Sequence, residues 1–366
     1  MKKMELDTPA LIVDLDRMEA NMDMGQEFAD SIGARLRPHI KTHRTPAIAL
    51  KQLEKGARGI TVAKLGEAEV MAEAGIDDIF IANEIVGQIK LERLRRLAGK
   101  VRLAVGVDDP VQVEMISRTF MNENKAMDVM IDVDTGDPRT GVKPGKGVLE
   151  LARRVVTSPG VNLRGIYTHD GQTYEAGNLE EIREIFRVSQ EQMLETAELL
   201  RSEGIECKEI SVGSTPSLLV GKPLKGVTEV RPGTYIFLDA DQANVIGSYE
   251  RCALTVLGTV ISRPVPERVV LDTGTKALTY YVQLEGITRT PGFGVLKEHT
   301  DVRLYSISDE HGCFIRPEGL EFRIGEKVEI IPNHACPTCN LYDRMYCIRN
   351  GEVAGQWPIL ARGKSQ

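Results

Sequence analysis

Short apolar runs alternate with amphipathic stretches along the first two thirds of the chain. The amphipathic stretches, such as residues 65–74 and 179–203, carry apolar residues at the spacing of one helical face. Repeated alternation of strand and helix predicts a parallel sheet, and about eight repeats predict a closed (β/α)8 barrel of the TIM type. The predicted strands cover residues 10–15, 34–41, 59–63, 78–83, 101–107, 127–133, 163–169, 209–212 and 229–237.

The pattern changes after about residue 245, where strand-like runs follow one another with turns and little helix between them. Successive short strands separated by turns are typical of a mainly β domain. The sequence therefore predicts two domains, a barrel over residues 1–244 and a mainly β domain over residues 245–366. The predicted strands of the second domain cover residues 254–261, 268–272, 302–306 and 327–331.

The composition argues against several classes of partner. Hydrophobic residues make up 42% and charged residues 27% of the 366 positions, as in a soluble protein with an ample core. The formal net charge of −7 argues against nucleic acid or an anionic membrane surface. No window approaches the ~18 apolar residues of a membrane span, and no secretory signal follows Lys2 and Lys3. The six cysteines are scattered rather than framed for disulfides, which predicts a cytoplasmic protein.

Lys41 stands where the predicted strand over residues 34–41 ends, shortly before a helix over residues 46–55. Enzymes built on such barrels carry out their chemistry at the C-terminal ends of the strands. A lysine amine there, with His39 and His43 on either side, is a candidate for an imine bond to a carbonyl cofactor. A surface lysine just past a strand would have the same local sequence, so the other strand ends must decide.

Further strand ends carry groups that suit a phosphorylated ligand. The segment 211–217 is rich in glycine and hydroxyl residues and can turn backbone N–H groups toward a phosphate, although an ordinary turn looks the same. Tyr235 either offers a phenol to that anion or fills the core. Arg139 either reaches a cofactor oxygen or is a solvated loop arginine. His169 ends another strand, where general acid or base chemistry competes with a structural role.

A histidine and a cysteine follow the last predicted strand of the β domain. If the extended conformation continues past residue 331, His334 and Cys336 point to the same face, because side chains alternate along a strand. An imidazole and a thiolate suit zinc, and two protein ligands would leave positions open for water or substrate. Cys336 and Cys339 form a competing Cys-x-x-Cys pair, but no second such pair completes a structural zinc site.

Taken together, these motifs resemble the D-threonine aldolase and D-serine dehydratase family of pyridoxal phosphate enzymes, which is related to alanine racemase. The resemblance spans nearly the whole chain and rests on the order of the motifs, since each motif singly is unspecific. The motifs are Pro-His-Ile-Lys-Thr-His at 38–43, Arg-Thr-Gly-Val at 139–142, Thr-His-Asp-Gly at 168–171, Arg-Pro-Gly-Thr-Tyr at 231–235, Asp-Thr-Gly-Thr-Lys at 272–276, Asp-Glu-His-Gly at 309–312 and Pro-Asn-His-Ala-Cys at 332–336.

The resemblance implies a set of cofactor-binding residues. Lys41 would carry pyridoxal 5′-phosphate covalently, and Arg139 would face the oxygen side of the cofactor ring. Gly213, Ser214 and Tyr235 would hold the phosphate. The resemblance also implies a homodimer whose active site lies near the interface between one subunit's barrel and the other subunit's β domain.

The resemblance further implies a metal-assisted reaction on the substrate's β-hydroxyl. His169 would lie near that hydroxyl, and His334 with Cys336 would bind a divalent metal there. A cysteine ligand favours zinc over manganese or magnesium. It is also typical of the dehydratase branch, because the aldolases often have His-x-Asp at these positions.

The expected activity is that of a lyase on D-3-hydroxy-amino acids. The first expectation is a D-threonine aldolase, which cleaves its substrate to glycine and an aldehyde. The alternative is a dehydratase of D-serine, D-threonine or 3-hydroxyaspartate that uses zinc and releases ammonia. An amino-acid racemase is the third candidate, but the sequence shows no clear second base, and Tyr280 and Tyr281 qualify only by default.

Overall fold

Seventeen strands form two sheets in the computed structural model, which describes all 366 residues of the chain. The strands are β1 Ala10–Asp14, β2 Arg35–Leu36, β3 Ile60–Val62, β4 Asp78–Glu84, β5 Arg102–Val107, β6 Met127–Asp132, β7 Val161–Tyr167, β8 Glu209–Val212, β9 Glu229–Val230, β10 Leu254–Val265, β11 Arg268–Leu271, β12 Val295–Leu296, β13 His299–Ile307, β14 Gly312–Ile315, β15 Lys327–Ile331, β16 Arg344–Arg349 and β17 Glu352–Pro358.

Eleven α-helices and four short 3₁₀ helices connect these strands. The α-helices are α1 Leu15–Asp30, α2 Pro46–Glu54, α3 Leu65–Glu73, α4 Gln88–Ala98, α5 Pro110–Phe120, α6 Lys146–Val156, α7 Leu179–Ser202, α8 Thr215–Val220, α9 Ala240–Ile246, α10 Thr275–Leu278 and α11 Ala335–Cys339. The 3₁₀ helices are Lys3–Glu5, Ile40–Thr42, Gly171–Tyr174 and Thr234–Ile236. None of the helices combines the length and the apolar composition needed to cross a membrane.

Strands β2 to β9 form one parallel sheet of eight strands that curls round on itself. Its two edges meet where Thr61 N–H donates to the Pro38 carbonyl at 2.9 Å and Arg58 N–H donates to the Leu36 carbonyl at 2.8 Å. Helices α2 to α7 lie between successive strands, as the strand-helix alternation of the sequence requires. The predicted TIM-type barrel is therefore confirmed.

The second sheet has nine strands, most of them antiparallel and C-terminal, and it also contains β1. Strand β1 pairs antiparallel with β10 and parallel with β16. The prediction that residues 10–15 form a barrel strand was therefore wrong, since the barrel begins at β2. The run Ala10 to Val13 is buried on both faces, and an apolar run of this kind does not reveal which sheet it joins. The division of the chain at residue 244 stays a prediction.

Charged side chains cross the barrel interior, with Arg37 at the centre. This side chain is only 1% exposed, and it donates to Glu229 Oε2 and to Asp78 Oδ1, each at 2.7 Å. Ser211 also donates to Glu229, at 2.7 Å, and Arg231 donates to Ser211 at 2.5 Å. Asp78 and Glu229 are the first residues of their strands, and Arg231 lines the cavity at the other end, so the network runs along the barrel from its N-terminal to its C-terminal end.

Replacing Arg37 with leucine is expected to lower the free energy of unfolding by about 3–5 kcal/mol, because Glu229 would remain as a buried carboxylate without its cation. Urea unfolding followed by circular dichroism at neutral pH measures the change. Arg102→Leu is the matched control, since Arg102 lies 3.4 Å from the same Asp78 but is 67% exposed. Its cost is expected to stay below about 1 kcal/mol. Equal losses in the two variants would contradict the prediction.

The same ion pair gives the stability a pH dependence of definite sign. Burial acts to raise the pKa of Glu229, but the charge and hydrogen bond of Arg37 outweigh it and lower the pKa from 4.5 to about 2. A carboxyl with a lower pKa in the folded state stabilises the fold above its ordinary pKa and loses that contribution as the pH falls. The wild type should therefore lose it between about pH 4.5 and 2, and Arg37→Leu should show less of that loss.

Candidate active site

A cavity of about 350 Å³ opens at the C-terminal end of the barrel strands. Five of the predicted site residues line it together: Lys41, Arg139, His169, Gly213 and Ser214. They come from the segments that follow β2, β6, β7 and β8. Because parallel strands end at one rim of a barrel, residues far apart in the sequence meet there.

The 3₁₀ helix Ile40–Thr42 holds Lys41 at the cavity wall. His39 lies just before this helix, and its Nδ1 accepts the Lys41 backbone N–H at 3.4 Å. His43, on the other side, is fully buried and lies 3.3 Å from Gln52 Oε1, and burial lowers its pKa to about 3. Of the two histidines that flank Lys41, only His39 therefore lines the cavity.

The cavity has an excess of positive charge, from Lys41, Arg139 and Arg231. Burial, together with these cations, holds the pKa of both His39 and His169 well below the ordinary value. Both imidazoles are therefore uncharged near pH 7. A negatively charged ligand would balance the three cations, as the phosphate of the expected cofactor would.

Tyr235, predicted as a phosphate ligand, does not line the cavity. Its side chain is completely buried, its hydroxyl accepts a hydrogen bond from Gln52 at 2.8 Å, and its ring packs against Gly25. The 3₁₀ helix Thr234–Ile236 produces this orientation, which an extended strand ending would not. Tyr174 lines the cavity instead, with its ring centroid 6.3 Å from that of His169.

Arg231 also lines the cavity, although no role was predicted for it. Its guanidinium donates to the Thr168 carbonyl at 2.6 Å and lies 5.2 Å from the ring centroid of Tyr167. The Arg-Pro-Gly-Thr-Tyr motif contains this arginine, but only the tyrosine of the motif was predicted to bind the cofactor. Sequence alone does not tell which of two polar side chains in a turn faces inward.

Asp239, Asp241 and His334 form a cluster whose candidate ligand atoms all lie within 4.8 Å of one another. Asp239 Oδ2 lies 3.2 Å from His334 Nδ1 and accepts the Ala335 N–H at 2.8 Å. Asp241 Oδ2 lies 3.9 Å from the same ring nitrogen and has no hydrogen-bond partner, although it is buried. Two carboxylates and an imidazole gathered in this way could hold a metal ion.

Cys336 lies next to this cluster through its contact with His334. Burial acts to raise the pKa of the thiol, but the charge and hydrogen bond of His334 lower it to about 7. Cys336 Sγ lies 3.2 Å from Thr42 Oγ1, which places the thiol one residue from Lys41. The predicted extended conformation was wrong, because Cys336 lies in helix α11. The helix nevertheless keeps the thiol in contact with His334.

The remaining candidates from this region have other surroundings. Cys339 and Cys347 belong to the hydrophobic core and pack as small apolar side chains. Tyr281 lies with its ring centroid 5.0 Å from that of His334, and Tyr280 is 68% exposed. Neither tyrosine lines the cavity.

The donor set of each region fits the group that the sequence resemblance implies. The cavity offers a primary amine, two guanidinium groups and the hydroxyl of Tyr167, which is buried without a hydrogen-bond partner. A phosphorylated carbonyl compound would satisfy all of these groups. At the second cluster, the unpartnered oxygen of Asp241 and the low pKa of the Cys336 thiol favour a divalent cation.

The barrel, its polar cavity and the attached β sheet define an enzyme of the alanine racemase fold. Residues 13–241 match the family described as "Alanine racemase, N-terminal domain", and residues 253–348 match "Putative serine dehydratase domain". The chain is 37% identical to a D-threonine aldolase from Arthrobacter sp. over 366 residues, which cover 99% of this chain and 94% of that protein.

Two solved structures are similar over the full length. The D-threonine aldolase from Filomicrobium marinum is 33% identical with a TM-score of 0.89, and the match covers 99% of this chain and 98% of that one. The D-threo-3-hydroxyaspartate dehydratase from Delftia sp. HT23 is 31% identical with a TM-score of 0.91, covering 98% of both chains. A variant of that dehydratase with a cysteine replaced by alanine has been solved in a metal-free form.

The chain belongs to the D-threonine aldolase and D-serine dehydratase family, as the order of its motifs indicates. Its similar relatives are named as lyases of both kinds, aldolases and dehydratases. The family implies pyridoxal phosphate and a metal.

Proposed function

We propose that the protein is a pyridoxal phosphate- and divalent-metal-dependent lyase that cleaves D-threonine to glycine and acetaldehyde. One observation carries the proposal: the Cys336 thiol, which contacts His334, lies directly behind the wall of the cavity that Lys41 lines, since Thr234 lines this cavity and its hydroxyl lies 3.6 Å from Cys336 Sγ. Thr42 provides the link, since it follows Lys41 in the chain and its hydroxyl lies 3.2 Å from Cys336 Sγ. A substrate held at the lysine would therefore present its side chain to the metal-binding groups.

In this proposal, different residues around the cavity bind different parts of the cofactor. Lys41 would hold it covalently, Arg139 would contact its ring, and Gly213 and Ser214 would hold its phosphate. Arg231, fixed by Ser211 and Thr168, adds a cation that its neighbours keep in place. The cofactor supplies an electron sink for bonds at the substrate's Cα, and the protein selects which bond breaks.

His169 is the base for the β-hydroxyl proton in this proposal. Its pKa lies well below the ordinary value because of burial and the charges of Lys41 and Arg139, so the imidazole is neutral at working pH. The same cations make the imidazole a weaker base, and the negative charge of the bound cofactor would offset them, so that His169 can accept the hydroxyl proton as the bond between Cα and Cβ breaks. A metal held by His334 and Cys336 would act on the same oxygen as a Lewis acid.

The proposed metal ligands are His334 and Cys336, with Asp239 behind the histidine. Metal-binding histidines commonly place their second ring nitrogen against a carboxylate, which fixes the ring's orientation. Asp239 Oδ2, at 3.2 Å from His334 Nδ1, is placed for that task. A thiolate ligand favours zinc over manganese or magnesium.

The proposal includes a cytoplasmic homodimer. All six cysteines are free, as expected for a reducing compartment. Beside the cavity, Thr288 Oγ1 donates to the Tyr174 carbonyl at 2.5 Å, and the same loop exposes Tyr280 and Leu284 by 68% and 74%. A second copy would cover this apolar surface. Light scattering tests this part, and a mass of 40.4 kDa, that of one chain, would contradict it.

A dehydratase is the second candidate, and Cys336 is the observation that favours it. The resemblance associates a cysteine at this position with D-serine dehydratases, and a D-threo-3-hydroxyaspartate dehydratase is 34% identical over 91% of this chain. In that reaction Lys41 would remove the proton from Cα, and the metal would assist the loss of the β-hydroxyl. The cavity geometry serves both reactions, because each needs the metal at the same oxygen.

Product analysis separates the two reactions. Incubation of the cofactor-loaded protein with D-threonine is expected to give glycine and acetaldehyde, with the activity lost on chelation and restored by zinc. The physical reason is that a metal held by His334 and Cys336 would supply Lewis-acid stabilisation of the charge on the β-oxygen. Formation of 2-oxobutanoate and ammonia would establish the dehydratase instead. Interconversion of the enantiomers without metal dependence would contradict both and indicate a racemase.

A further inference from the structure

A chain of hydroxyl groups connects the buried carboxyl of Asp170 with the cavity wall. The Ser217 hydroxyl donates to Asp170 Oδ2, and Ser217 Oγ lies 3.0 Å from Ser214 Oγ. Ser214 Oγ also lies 2.9 Å from Thr173 Oγ1, while the Thr173 hydroxyl donates to the Asp170 backbone carbonyl at 2.7 Å. Ser214 is the member of this chain that lines the cavity.

Counting hydrogens shows what an ionised Asp170 does to Ser214. Each hydroxyl has a single hydrogen. The Ser217 hydroxyl donates its hydrogen to the Asp170 carboxylate, and the Thr173 hydroxyl donates its hydrogen to the Asp170 backbone carbonyl. The hydrogen of Ser214 is therefore the only one left for a hydrogen bond between Ser214 Oγ and either Ser217 Oγ or Thr173 Oγ1. An ionised Asp170 therefore turns the Ser214 hydrogen away from the cavity.

A protonated Asp170 reverses the chain. Its carboxyl then donates to Ser217 Oγ, the Ser217 hydrogen passes to Ser214 Oγ, and the Ser214 hydrogen is no longer needed for the contact with Ser217. A phosphate oxygen accepts hydrogen bonds and does not donate them when the phosphate is a dianion. In the protonated arrangement Ser214 can donate to that oxygen at the cost of its contact with Thr173 alone, whereas in the ionised arrangement it would leave both neighbours without a hydrogen.

The surroundings of Asp170 allow it to change its protonation state. The residue is fully buried, and its Oδ1 has no hydrogen-bond partner. Burial raises the pKa of Asp170 to about 6, although the hydrogen bond from Ser217 and the charge of Arg231 act against the rise. The other titratable groups near it are Tyr174 and the neighbouring His169, whose pKa values are shifted so that both are neutral. A dianion nearby would raise the proton affinity of Asp170 further.

We propose that Asp170 is a positioning residue for the phosphate of the cofactor, and that it takes up a proton from solvent when this phosphate binds beside Ser214. The inference rests on the proposed cofactor. Its consequence is that cofactor affinity falls as the pH rises, by up to about tenfold per pH unit where one proton is taken up. Neither His169 nor Lys41 takes part in this linkage.

The test uses the apoprotein and a ligand that cannot react with Lys41. The wild type is titrated calorimetrically with 4′-deoxypyridoxine 5′-phosphate at pH 7.5, in buffers of different ionisation enthalpy, and with unphosphorylated 4-deoxypyridoxine for comparison. The expected result is uptake of about one proton that is specific to the phosphorylated ligand. Asp170→Asn is expected to lose this uptake and its pH dependence while still binding the ligand, because the amide can donate to Ser217 as a protonated carboxyl does.

Two further variants make the result interpretable. Asp128→Asn is the matched control, since Asp128 contacts Asn162 at the other end of the barrel, and it should behave as the wild type does. Ser217→Ala breaks the hydroxyl chain and serves if Asp170→Asn does not fold. It should also abolish most of the uptake, because without Ser217 no hydroxyl connects the Asp170 carboxyl with Ser214.

The two possible failures are distinguishable. If Asp170→Asn binds the phosphorylated ligand with the same proton uptake as the wild type, the inference is overturned and the cofactor site stands. His169 would then be the group to which the proton goes. If the wild type binds the two ligands equally, or binds neither, the proposed cofactor itself is refuted and the inference with it.

Discussion

Lys41→Ala is expected to lower the lyase activity by at least about 10⁴-fold, since it removes the covalent attachment of the cofactor and, in the dehydratase alternative, also the base at Cα. Lys41 is the only lysine among the residues that line the cavity. No neighbouring amine can therefore replace it. Arg139, Arg231 and Ser214 remain in the variant, so the cofactor should still bind, but without a covalent bond.

Borohydride reduction followed by peptide mass spectrometry measures the bond directly. The wild type should carry the mass of the reduced cofactor on the peptide that contains Lys41, and Lys41→Ala should carry it nowhere. Lys55→Ala is the matched control, since Lys55 is exposed and paired with Asp23 on the helical surface. Labelling of another lysine in the wild type, or activity retained by Lys41→Ala, would refute the assignment.

The fold was largely predictable because buried parallel strands appear in the sequence as short, mostly apolar runs. Strands such as β4 and β6 are apolar on both faces, and a helix separates each from the next. Strand β1 was the exception. Its apolar residues satisfy either sheet equally well, and its partners β10 and β16 lie far along the chain. Local pattern does not identify partners of this kind.

The site was predictable to the extent that strand ends define it. Lys41, Arg139, His169 and Ser214 all follow barrel strands, and the barrel gathers them without further information. Tyr235 was misplaced because a 3₁₀ turn reverses the side chain.

Asp239 was not predicted as a site residue, for a different reason. It lies 95 residues from its partner His334, and nothing in its own neighbourhood marks it as a site residue. Contacts of that length become visible only in the folded chain.

The largest effect at the second cluster is expected for His334→Ala, which should lower bound zinc to background and the activity by about 10³-fold. His334 contacts Asp239 on one side and Cys336 on the other, so its loss affects any arrangement of ligands. Metal analysis after dialysis and activity titrated with zinc measure the effect. Unchanged zinc content in this variant would refute a metal site here.

Three companion variants decide which atoms bind the metal. If His334 and Cys336 are the ligands, Cys336→Ala should lose zinc as fully as His334→Ala does, and Asp239→Asn should weaken it by about 10–100-fold through the orientation of the ring. Asp241→Asn should then retain zinc, because the Asp241 carboxylate, like that of Asp239, lies at Nδ1 of the His334 ring, the nitrogen held by Asp239 rather than by the metal in this arrangement. The reverse result, with zinc lost in Asp241→Asn and kept in Cys336→Ala, would assign the metal to the carboxylates. Cys336 would then give no reason to prefer zinc, because carboxylate oxygens suit manganese and magnesium equally well.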